Sequence, residues 1–214
     1  MGGDLVGHRG LALASGDRRS IGEATAAQLA HADLVLTIGS SPVGVTLIDH
    51  LRGQRSARAD LFDTRARELF VARHSARHAA TRLDPRALMP PAVPDAHGVW
   101  TLDLRSVRPV HPERFRRGLT DLAGGRVRTR GRFHLPTRPG RLGVVDGTGG
   151  HLSIGDAGLP GAPVSTRLMV TGIGDGRAQR QRAFGEMLLT GAELAGGDDW
   201  ATMDDGLDEW LGPR

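Results

Sequence analysis

Apolar positions recur with two different rhythms along this chain, and the change follows a proline-rich stretch at 84–94. In the first third, Ser20-Ile21-Gly22-Glu23 sets a capping serine three residues before a glutamate, which predicts a helix over 21–31. The short apolar run 34–38 ends at Gly39, as a buried strand does. Residues 43–51 read as a helix. Residues 60–83 read as one long Arg/Ala-rich helix with Leu61, Leu69 and Phe70 as its apolar stripe. Helix–strand–helix order suits an open α/β sheet, although only one strand is legible here.

Pro85, Pro90, Pro91 and Pro94 mark 85–96 as a stiff linker. Beyond it the pattern predicts a strand over 99–107 and a helix over 111–123, with Pro112 suited to its first position. Strands are expected at 126–137, 141–145, 151–154 and 167–172, separated by Gly/Pro turns, and a second helix at 177–189. This half reads as an α+β domain, a mostly antiparallel sheet covered by two helices. The expected division is 1–84 as a partial α/β segment, 85–96 as linker and 97–214 as the α+β domain.

Composition narrows the chemistry. All 28 basic residues are arginine, and lysine, cysteine, asparagine and tyrosine are absent. A phosphate-binding loop of the GxxxxGK type needs a lysine, so none exists in these residues. Thiolate metal sites and disulfides are excluded as well. Lys, Asn and Tyr share AT-rich codons, so their joint absence reads as a GC-rich genome. The net charge is only +4, and nothing titrates near pH 10, so the sequence pI of 11.1 does not signal a polyanion binder. No run of about 18 apolar residues is present, and the N-terminus lacks a basic-then-apolar signal pattern. A cytoplasmic protein that does not enter membranes is expected.

Several groups of residues invite a functional reading. His74 and His78 stand four apart on one predicted helix face, but Arg73 and Arg77 flank them and would repel a dication. Acids from Asp198 to Glu209 surround Trp200 and Trp210; they lack the spacing of a calcium loop and read as a tail that docks its tryptophans and meets arginines. Gly172-Ile173-Gly174-Asp175-Gly176 lacks the third glycine of a dinucleotide fingerprint and reads as a tight turn. Strand alternation puts Arg126, Arg128, Arg130 and Arg132 on one face. Such a stripe could meet RNA or phosphate, or be a solvated face paired with acids.

Four stretches resemble one known family. Residues 108–115, Arg-Pro-Val-His-Pro-Glu-Arg-Phe, resemble the segment that opens the CobW C-terminal domain. Residues 127–135 are similar to one of its strands, with His134 where a tryptophan is usual, and 188–194 with Trp200 resemble its closing segment. Gly10-Leu11, Asp17-Arg18-Arg19-Ser20 and 28–33 look like the late part of the preceding GTPase domain. The similarity leans toward the actinobacterial branch, which includes a GTPase that recruits a hibernation factor to ribosomes.

The resemblance implies a remnant of a P-loop GTPase α/β domain followed by a CobW C-terminal α+β domain. For the family it implies GTP, Mg and Zn; for this chain alone it implies no cofactor, because the P-loop and the Cys-x-Cys-Cys metal motif match nothing here. Where the guanine-reading loop would stand, the sequence has Thr37-Ile38-Gly39-Ser40-Ser41. The expectation is a non-catalytic binding module in zinc or other metal homeostasis, or in ribosome-associated stress. It would contact a protein or ribosome-associated factor through Arg128, Arg130 and Arg132, with His111 and Glu113 beside them, and RNA could meet the same stripe. The alternative is one subunit of a split GTP-hydrolysing metallochaperone whose P-loop half is a separate chain.

Overall fold

A computed structural model describes residues 20–71, 74–159, 164–196 and 199–214. Its first helix, α1 (Ile21–His31), begins where the capping pattern places it: the Ser20 hydroxyl accepts the Glu23 amide at 3.0 Å. Strand β1 (Leu34–Thr37) follows, then α2 (Pro42–Leu51), capped by Ser41 with proline in its first turn. Strand β2 (Ala57–Asp60) lies parallel to β1, Leu34 opposite Ala57 and Thr37 opposite Asp60.

The single long helix expected over 60–83 is two short ones, α3 (Ala66–Val71) and α4 (Ala76–Leu83). Polar side chains win locally over helix propensity. The Asp60 carboxylate accepts the Phe62 amide at 2.8 Å, and the Thr64 hydroxyl donates to the Asp60 carbonyl. Ser75 then caps α4 by accepting the His78 amide. The calls on Gly10-Leu11 and Asp17-Arg18-Arg19 lie outside the described residues.

The second half is a five-stranded antiparallel sheet in the order β3-β7-β4-β5-β6, built from β3 (Val99–Ser106), β4 (Val127–Phe133), β5 (Gly143–Thr148), β6 (His151–Asp156) and β7 (Thr166–Ile173). Helices α5 (Pro112–Ala123) and α6 (Arg177–Met187) cover one face. That face carries the alternate residues Trp100, Leu102 and Leu104 of β3, Leu168 and Val170 of β7, and Val127, Thr129 and Phe133 of β4. Phe115 of α5 meets Phe133 with ring centroids 4.2 Å apart, both fully buried. At Gly131, with φ +154°, a Cβ would stand 2.2 Å from the Arg167 carbonyl oxygen, so β4 and β7 approach there only because that position is glycine.

The C-terminal segment adds the short helices α7 (Gly191–Ala195) and α8 (Asp208–Leu211). Thr190 and Glu193 form a reciprocal capping box on α7, and Glu193 also holds Arg114 at 2.7 Å. Leu207 and Leu211 are buried.

Candidate functional site

The sheet face away from α5 and α6 is polar, and it is where the arginine stripe lies. Alternation along β4 turns Arg128, Arg130 and Arg132 to this side, next to Arg167, Met169 and Thr171 of β7 and Thr101 and Asp103 of β3. Four of these side chains meet main-chain oxygens or acids of the same chain. Arg130 Nη1 donates to the Arg82 carbonyl at 2.9 Å, Arg132 Nη1 to the Arg86 carbonyl at 2.7 Å and Arg167 Nη1 to the Leu88 carbonyl at 2.7 Å. Arg128 pairs with Asp146 and donates to the Gly147 carbonyl at 3.1 Å.

The stripe expected to face an outside partner therefore faces the chain's own first half. Arg128 is 8% exposed, and residues 82–88 pass across the row of guanidinium heads. The physical reason is that the last carbonyls of a helix have no partner within it and attract cations. Arg82 sits in the last turn of α4, and Arg130 takes its carbonyl. Arg82 repeats the device on α1: its side chain donates to the Ala30 and His31 carbonyls and to Asp33. Gly53 makes room for this, since a Cβ there would lie 1.9 Å from Arg82 Cδ.

His111 and Glu113 are not beside the stripe. They begin α5 on the opposite side of the sheet, where Phe115 meets Phe133 and the Thr129 hydroxyl reaches the Leu122 carbonyl. His111 caps the helix and lies edge-on to Trp200 at 5.5 Å. Burial, with the nearby Arg114, holds its imidazole below its usual pKa, so it is a neutral cap. Glu113 is exposed and pairs with Arg117 at 3.0 Å along the helix surface.

Three residues on the polar face gave no signal in the sequence. The Thr171 and Thr101 hydroxyls are 2.8 Å apart, Thr101 is 2.8 Å from His50 Nδ1, and His50 Nε2 is 3.2 Å from the Pro94 carbonyl. With the proton on Nε2, Nδ1 accepts from Thr101 and the relay is fully satisfied. His50 is 6% exposed. Asp103 lies between Arg167 and Arg105; burial would raise its pKa, but hydrogen bonds from both guanidiniums hold it at about 2.

The acidic tail docks as expected in outline and differently in detail. Asp205 accepts from Arg138 Nε at 2.8 Å and from the Thr137 hydroxyl at 2.8 Å, and Asp208 also pairs with Arg138. Trp200 rests against His111, whereas Trp210 is 38% exposed and leaves the anchoring to Leu207 and Leu211. Asp198 lies outside the described residues. His74 contacts Asp33 at 2.5 Å and stacks near His31. Among the described residues, no group of three or more His, Asp or Glu is arranged to hold a metal ion.

These elements define an α+β domain whose buried core lies between an antiparallel sheet and two helices, with an arginine-studded back face docked on a small α/β unit. Residues 99–188 match the family model of the cobalamin synthesis protein cobW C-terminal domain.

Among curated proteins, an uncharacterised protein (Mb0109) of Mycobacterium bovis and the zinc chaperone Rv0106 of Mycobacterium tuberculosis are each 28% identical over 144 residues. The match takes in 66% of this chain but 36% of each relative, so the chain spans about a third of their length. Among solved structures, the Zn(II)-bound YjiA GTPase from E. coli aligns at 12% identity with a TM-score of 0.44, over 77% of this chain and 54% of that one. A Zn(II)-bound triple mutant of the same GTPase aligns with a TM-score of 0.45.

Proposed function

We propose that this protein is a binding module in zinc homeostasis that acts through a protein partner and performs no nucleotide chemistry of its own. The observation that carries the reading is the CobW C-terminal domain match, in a chain whose 28 basic residues are all arginine. The relative named a zinc chaperone supports the metal side of the reading. The missing lysine supports the non-catalytic side, since the P-loop ammonium that reaches the outer phosphates has no counterpart here. A ribosome-associated partner is a narrower version with less behind it. The arginine heads that would track a phosphate backbone are engaged with carbonyls of residues 82–88.

Growth tests the zinc assignment. A strain lacking the gene should grow normally in zinc-replete medium and show a clear lag or yield defect under chelation that zinc, and not manganese or iron, restores. Equal growth under both conditions would remove the metal assignment.

One observation favours the alternative, a subunit of a split metallochaperone GTPase. Strands β1 and β2 pair in parallel with each other and, among the described residues, with nothing else. Parallel sheets are ordinarily larger and covered on both faces. Ile38, just after β1, is 70% exposed, and Phe62, just after β2, is 79% exposed. A P-loop-bearing chain that extended this sheet would cover them. Co-expression with a neighbouring gene product that carries GxxxxGK and CxCC motifs should then give a stable complex with GTP turnover. Separate elution of the two chains would dismiss the subunit reading.

A further inference from the structure

The five-stranded sheet ends in β6, and one side of that strand has no described partner. The Ala157 amide donates to the Leu142 carbonyl, so these two residues are a hydrogen-bonded pair continuing the β5–β6 ladder. Such pairs recur at every second position of an antiparallel ladder, which turns the main-chain groups of His151, Ser153 and Gly155 toward β5. Those of Leu152 and Ile154 point the other way, and among the described residues nothing bonds to them.

Edge strands are ordinarily guarded by proline, lysine, a bulge or an inward-pointing charge. From His151 to Gly155, His-Leu-Ser-Ile-Gly, β6 has none of these. Its Leu152 and Ile154 pack against the core while only partly buried, and α8, which packs against β6, leaves Trp210 exposed.

The strand is also complementary to itself. When Ser153 faces its counterpart across a two-fold axis, Leu152 of each copy faces Ile154 of the other, on the face that carries the core. The outward main-chain groups of these residues then bond to each other. His151 falls opposite Gly155 and Asp156 opposite Gly150, and a Cβ at either glycine would meet nothing within 4 Å. No two like charges meet. The register centred on Ile154 would instead set Leu152 against Asp156, and the one centred on Leu152 would leave Ile154 facing a glycine.

We propose that β6 is a self-association surface through which two copies of this chain join antiparallel into one continuous sheet, with the two-fold axis at Ser153. The contact is isologous and closes on itself, so it stops at the dimer. The strand is short, and the association is therefore weak and concentration-dependent. It requires neither zinc nor a P-loop chain.

Sedimentation velocity of the full chain between about 1 µM and about 1 mM should show a reversible shift from monomer to dimer. Ser153→Lys sets two ammonium groups face to face at the axis and should weaken the dimer about fivefold or more. Within one copy Ser153 is exposed and lies across from Asp146, so the lysine spares the fold. Because the chain has no cysteine, Ser153→Cys gives a direct reading of the register. Non-hydrogen-bonded antiparallel neighbours have Cα atoms about 4.5 Å apart, within disulfide reach. Mild oxidation should therefore link Ser153→Cys into a covalent dimer far faster than the exposed control His151→Cys, whose two copies would lie about 13 Å apart. A chain that stays monomeric, a dimer undiminished in Ser153→Lys, or equal cross-linking of the two cysteine variants would each overturn the surface. The first of these would leave the edge to a strand of another protein.

Discussion

Arg138→Ala is expected to lower the stability of the protein by about 3–5 kcal/mol, the usual cost of leaving one member of a buried pair without the other. Arg138 and Asp205 have side chains 2% and 0% exposed. The guanidinium donates from Nε and Nη2 to both carboxylate oxygens, from Nη1 to the Gly212 carbonyl and from Nη2 to Asp208. Removing it strands a buried carboxylate and releases the segment that brings Leu207 and Leu211 into the core. Urea unfolding at pH 7 reads the loss. Replacing both partners with apolar residues of similar size should cost much less, because neither charge is then left alone.

The same pair predicts a pH dependence. Burial would raise the Asp205 pKa, but hydrogen bonds from Arg138, Thr137 and the Leu207 amide hold it at about 2, below its ordinary 3.8. A carboxyl with a depressed folded pKa contributes stability that is complete above the unfolded value and is lost as pH falls toward the folded one. Stability should therefore decline between about pH 4 and pH 2, with Asp103 contributing over the same window. In Arg138→Ala the decline should be shallower, since the group that lowers the carboxyl pKa is gone. An unchanged acid limb would mean that Asp205 is not held by Arg138.

Phe133→Ala is the second large effect, about 3–5 kcal/mol for an aromatic truncated in a packed core. Phe133 is fully buried, packs on Phe115 and covers Gly143 on the neighbouring strand, where a Cβ would stand 2.3 Å from the ring. The alanine leaves a cavity that glycine cannot fill. Gly143→Ala tests the same contact from the other side: it should destabilise the wild type through the clash and cost less in the Phe133→Ala background. Additive losses in a double-mutant cycle would show that the two residues do not share that space.

How much of this was legible in the sequence depends on how local each cause is. Helix α1 could be read because its start is set by Ser20 and Glu23 alone, and β4 because alternation sorts its residues between faces. Strand β2, Ala-Arg-Ala-Asp, carries no branched or aromatic residue and exists through its ladder to β1, which a local pattern does not reveal. The long helix expected over 60–83 failed because Asp60, Thr64 and Ser75 satisfy backbone groups outside a helix.

For the site, charge and alternation correctly placed Arg128, Arg130 and Arg132 on one side but said nothing about what lies over them. Their cover is main-chain carbonyl, which every residue possesses and which leaves no signature. The same blindness hid His50, whose partners Thr101 and Pro94 are more than forty residues away. His111 and Glu113 do not join the stripe, because α5 packs on the other face and the sheet stands between them.

The proposed function has this chain binding a partner and doing no GTP chemistry alone. A fluorescence titration of the purified chain with labelled GTP and Mg²⁺ tests it most directly, with Trp100, Trp200 and Trp210 as intrinsic reporters. No saturable binding up to millimolar nucleotide and no release of phosphate are expected. Saturable micromolar binding would contradict it, and would mean that arginines here form a nucleotide-phosphate site without a lysine.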